Sequence, residues 1–88
     1  MHTSPTPQPV SWLRLSDLVT ARRRGRSSLY RDVAEGVLTP PVRIGAKASA
    51  WPSHEIAEID RARLAGADEN AIRALVRDLV AARGKVAA

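Results

Sequence analysis

The chain has 88 residues, a formal net charge of +5 and no cysteine. Its length suits one small domain with a modest core, and without cysteine it can hold no disulfide framework, thiolate metal site or cysteine nucleophile. No stretch approaches the roughly 20 apolar residues that span a bilayer, and the N-terminus lacks the basic-then-apolar pattern of an export signal, so a soluble, cytoplasmic protein without membrane partners is expected.

The charge is unevenly placed. Through Trp51, eight cations stand against three carboxylates; from Pro52 onward, six stand against six. An excess confined to one half suggests a half that meets a polyanion and a half that does not.

Met1 to Ser11 carries Pro5, Pro7 and Pro9 among small polar residues and reads as a disordered tail, because it has too little apolar surface to offset ordering. Ser16 can cap a first helix that runs to about Arg22, with Leu15, Leu18 and Val19 inward. A turn around Arg23–Gly25 leads to a second helix opened by Arg26 or Ser27 and stopped by Gly36. Leu29, Val33 and Val37 recur at i, i+4, i+8, which leaves Ser27, Ser28, Arg31, Asp32 and Glu35 on the polar side.

Pro40 and Pro41 forbid helix. Val42 to Ile44 and Ser49 to Trp51 then read as a minimal hairpin around Gly45–Ala48. Ser53 can cap a third helix with Ile56 and Ile59 inward, closing at Gly66. Asp68 can cap a fourth, whose residues Ile72, Leu75, Val76, Leu79 and Val80 form a 3.6-period apolar stripe. The expected order is α-α-β-β-α-α, a mainly α fold. Its core includes Leu18, Leu29, Val33, Ile44, Trp51 and Ile56. Residues 12–66 form the principal unit, 67–84 an amphipathic helix, and 85–88 a frayed end.

Little here suggests catalysis. His2 and His54 stand apart, and Asp32 with Glu35 or Glu55 with Glu58 read as solvated helix faces, so no nucleophile, base and orienting group come together. Neither enzymatic activity nor a cofactor or metal is expected. By contrast, Arg22, Arg23, Arg24 and Arg26 crowd four like charges into five residues. Their repulsion would be relieved by phosphate; Asp17, Asp32 or Glu35 could pair with one or two of them.

The segment from Leu13 to Ile56 resembles the AlpA-type regulators and phage excisionases of the MerR-like winged helix-turn-helix group. The likeness rests on Leu13-Arg14-Leu15, Arg26-Ser27-Ser28-Leu29-Tyr30-Arg31, Glu35-Gly36, Pro40-Pro41-Val42-Arg43-Ile44-Gly45 and Trp51, in that order, over about half of the chain. It implies a small winged helix-turn-helix in which the second helix enters the DNA major groove and the hairpin is a wing. Ser27, Ser28 and Arg31 would then touch bases or phosphates, Tyr30 would be a partly buried phosphate contact, and Arg43 and Lys47 would belong to the wing. One departure concerns the turn, where the family's Thr-Gly-Leu-Ser is replaced by Arg22-Arg23-Arg24-Gly25, displacing the glycine and losing a core leucine.

The expected function is sequence-specific binding of double-stranded DNA, as a transcriptional regulator or as an excision-directing factor working with a recombinase. Arg22, Arg24 and Arg26 join the contacts above. Trp51 could instead stack on a base, although two other aromatics make a poor platform. The alternative is a protein-interaction adaptor built on the fourth helix. Ile72, Leu75, Val76 and Leu79 would also serve self-association on half-sites about 10 base pairs apart, unless they complete the monomer core.

Overall fold

The computed structural model describes residues 11–84. The expected tail (apart from Ser11) and the frayed 85–88 lie outside the described residues. Four helices and a three-stranded antiparallel sheet follow one another as β1 (Trp12–Leu13), α1 (Leu15–Arg22), α2 (Arg26–Ala34), β2 (Val42–Gly45), β3 (Ala48–Pro52), α3 (Ser53–Leu64) and α4 (Glu69–Arg83). The expected helices and hairpin are all present, and β1 is an addition.

β1 pairs with β3, which pairs with β2 on its other side, all antiparallel. Trp12 lies opposite Pro52, Leu13 opposite Trp51, Val42 opposite Ala50 and Arg43 opposite Ser49. Alternation therefore puts Leu13, Trp51, Ser49 and Arg43 on one face and Trp12, Pro52, Ala50 and Val42 on the other. Ser11, placed in the disordered tail by the sequence reading, already belongs to this edge, since its carbonyl accepts the Ser53 N–H at 2.8 Å.

Two caps differ from expectation for the same reason, that strands run straight into helices. Arg14, in extended conformation, takes the cap position of α1 two residues before Ser16, and Asp17 Oδ2 accepts its N–H at 2.8 Å. Likewise β3 passes into α3 at Pro52, so Ser53 is the first helical residue and not the cap. Asp68 does cap α4, accepting the Ala71 N–H at 2.8 Å. Gly36 (φ 82°) and Gly66 (φ 91°) end α2 and α3 in left-handed conformation. In each case the residue after the glycine bonds back across six residues, Val37 N–H to Asp32 O and Ala67 N–H to Ala62 O, both at 3.0 Å.

Leu18, Leu29, Trp51 and Ile56 are buried as expected, together with Val37, Leu38 and Ile59, while Val33 packs against this core from a half-buried position. Ile44 does not join it, being 41 % exposed. The hairpin is buried only at its base, where Ala50 to Pro52 enter the core, and its pairing becomes irregular between Arg43 and Gly45. Ile44 therefore sits on an edge strand beyond the reach of the core.

α4 packs against α3 and sinks Ile72, Val76 and Leu79 into the monomer core, with Leu75 half-buried beside them. Of the two roles open to Ile72, Leu75, Val76 and Leu79, the packing favours completion of the monomer core over self-association. Glu55 is a correction, since it is 1 % exposed and bound by Arg83 rather than part of a solvated helix face. No described helix is long and apolar enough to cross a membrane.

Candidate nucleic-acid interface

Along α2, Arg26, Ser27, Tyr30, Arg31 and Ala34 are exposed. At 100° per residue these positions fall on one strip of the helix. Leu29, fully buried, and Val33, half-buried beside it, bound this strip on the side that faces the core. The exposed strip is rotated from the one expected: Ser28 and Asp32 turn half inward and Tyr30 turns outward. Asp32 Oδ1 accepts a hydrogen bond from Arg24 Nη2 at 3.0 Å, and the Tyr30 ring leans on Trp51 with centroids 6.4 Å apart. Tyr30 is nonetheless 47 % exposed, more open than the partly buried contact implied by the family likeness.

The arginine-rich turn divides into two pairs. Arg22 forms an ion pair with Asp60 of α3 at 2.6 Å and its side chain is 19 % exposed, so it braces α1 against α3. Arg24 is the partner of Asp32. Arg23 and Arg26 are exposed and, among the described residues, have no carboxylate within 4.0 Å. The two turn arginines freest to meet an anion are therefore Arg23 and Arg26, where Arg22, Arg24 and Arg26 are expected from the sequence. Arg23 is also the one non-glycine among the described residues with positive φ, at 54°. Glycine would adopt this conformation without cost, whereas a side chain there costs of order 1 kcal/mol or more. Gly25, with φ −72°, needs no such freedom. The displaced glycine of the sequence was the available clue.

On the hairpin, Arg43 and Ser49 continue the sheet face that carries Trp51, the face on which Tyr30 leans. Lys47 occupies the turn between the paired residues Gly45 and Ala48 and is exposed, as is Ile44. Arg43 reaches back toward the Ala46 carbonyl at 3.4 Å, a weak contact. Neither cation has a carboxylate partner among the described residues. Trp51 is 1 % exposed and donates from Nε1 to the Thr39 carbonyl at 2.6 Å, so it is a core residue and does not stack on a base.

Beside α2 opens a cleft of about 520 Å³ lined by Arg22, Arg24, Arg31, Asp32, Glu35, Val37, Arg63 and Glu69. Arg63 brings a cation from the electroneutral half to the edge of the basic surface, which no local pattern announced. Among the described residues no cluster of histidine, aspartate and glutamate could hold a metal. No protein-family model, curated protein or solved structure matches the chain.

Proposed function

We propose that this protein binds double-stranded DNA without catalysing a reaction, as a winged helix-turn-helix in which α1 and α2 form the helical pair and β2–β3 the wing. The observation that carries the reading is the exposed strip Arg26, Ser27, Tyr30 and Arg31: it contains no carboxylate, and the hairpin beside it bears Arg43 and Lys47. Asp32, the acid most able to repel phosphate from this helix, is turned aside and neutralised by Arg24. A helix of this width fits the major groove, where Arg31 can read a guanine edge and Ser27 a neighbouring base or phosphate. Arg23, Arg26, Arg43 and Lys47 would supply phosphate contacts, and with them affinity and register.

A transcriptional regulator and an excision-directing partner of a recombinase both work by such binding, on the chromosome in the cytoplasm. An adaptor built on α4 loses its motivating surface, because Ile72, Val76 and Leu79 are core. The test is a comparison of a duplex selected from a random pool with random duplex and with its separated strands. Preference for the selected duplex over both is the expected result. Equal affinity for single strands, or no binding to any of the three, defeats the reading.

A further inference from the structure

Residues 35–41, which join α2 to β2, belong to no helix or strand, yet Val37, Leu38 and Thr39 are buried. A buried segment of this kind must find partners for its backbone groups outside secondary structure. Three of its carbonyls are held by long side chains from elsewhere in the fold. Arg73 Nε donates to Glu35 O at 2.9 Å, Trp51 Nε1 to Thr39 O at 2.6 Å, and Arg83 Nη2 to Pro40 O at 2.7 Å.

Each arginine is itself fixed. Arg73 is paired with Glu69 at 3.2 Å, and its stem passes over Gly36, where a Cβ would stand 3.7 Å from Arg73 Cγ. Arg83 is gripped through Nε and Nη2 by both oxygens of the buried Glu55, at 2.8 and 2.7 Å. A guanidinium held at two points presents its remaining hydrogens in a preset direction. Both arginines lie on α4, ten residues or about 15 Å apart at 1.5 Å per residue. One rigid helix therefore grips the connector at both ends, where α2 stops and where the hairpin begins.

We infer that Arg73, Arg83 and Trp51 are positioning residues that set the hairpin's orientation relative to α2, and that α4 takes part in DNA recognition without touching DNA. The recognition half of this inference rests on the duplex-binding reading above; the geometric half does not. A loosened hairpin keeps its cations and still attracts phosphate, but it no longer seats together with α2. Specific affinity should fall while non-specific affinity stays.

The test uses the absence of native cysteine. Spin labels at Ala34→Cys and Ala46→Cys, both exposed sites, report the distance from α2 to the hairpin turn in the free protein. Arg73→Met removes one grip and keeps the stem. Glu55→Met with Arg83→Met removes another without stranding a buried carboxylate, and Trp51→Phe removes the third while keeping an aromatic ring. Retention of the fold is checked by thermal melting, and Arg73→Met, at a side chain one-third exposed, secures a folded variant.

The inference expects a broader distance distribution in every folded variant. Without the labels, the ratio of selected-duplex to random-duplex affinity should drop by about tenfold, the scale of one lost base contact, with random-duplex affinity little changed. Unchanged distance distributions overturn the clamp whatever the protein binds. Broader distributions with an unchanged ratio overturn its role in recognition. Failure of the parent chain to bind any duplex defeats the DNA reading, and with it the recognition half, while leaving the distance result to judge the geometry.

Discussion

The cations of the two halves are used in different ways. In α4, Arg73 and Arg83 point back into the fold, onto backbone carbonyls and onto Glu69 and Glu55. Between β1 and the hairpin turn, Arg14, Arg23, Arg26, Arg31, Arg43 and Lys47 have no carboxylate within 4.0 Å among the described residues. Arg73 and Arg83 of α4 thus cross-brace the fold, as Arg22 does from α1, whereas these six cations of the first half are surface left open. The same residue type stabilises the fold in one place and leaves a field for an anion in the other.

The sharpest way to break this contrast is to attack a brace. Arg83→Ala leaves the Glu55 carboxylate buried without its partner and should destabilise the protein by about 3 to 5 kcal/mol, whereas Glu55→Met with Arg83→Met should be near neutral. Denaturant unfolding of both variants checks this. Similar losses in the two would mean that packing, and not the stranded charge, sets the cost.

An open cation should behave oppositely. Arg31→Ala should leave stability within about 0.5 kcal/mol and weaken binding to a selected duplex by about 1 to 3 kcal/mol, with a smaller effect on random duplex. Equal losses on both would reassign Arg31 from a base to a phosphate.

How far these roles were readable from sequence depends on the range of the interaction. The α4 stripe, its Asp68 cap and the glycine stops at Gly36 and Gly66 obey rules that span one or two turns, and the structure agrees with them. β1 has two residues, too few to show a period, and becomes a strand only through its pairing with Pro52 and Trp51. Glu55 looked solvated because the side chain that buries it lies 28 residues away. The exposed strip of α2 is not fixed by apolar spacing, which places Leu29 and Val33 inward but says nothing of which neighbours will half-cover Ser28 and Asp32. In the turn, the number of arginines pointed to the right region, while their division into braces and open charges depended on Asp60, 38 residues from Arg22.

Arg23 gives a finer test, because it combines strain with exposure. Arg23→Gly relieves the left-handed backbone and should stabilise the fold by about 1 kcal/mol, yet it should weaken binding to selected and random duplex alike. A gain in stability with unchanged DNA affinity would leave the strained arginine without a role at the interface.

The central claim is tested most directly by the salt dependence of duplex binding. The slope of log affinity against log salt is measured for the parent chain, for glutamine variants of Arg23, Arg26, Arg43 and Lys47, and for Arg77→Gln on the exposed side of α4. Each of the first four should flatten the slope by about 0.9, the release expected from one phosphate, and Arg77→Gln should leave it unchanged. A slope that none of the four variants alters, or one that Arg77→Gln alters as much as they do, would contradict the assignment of the open cations to DNA.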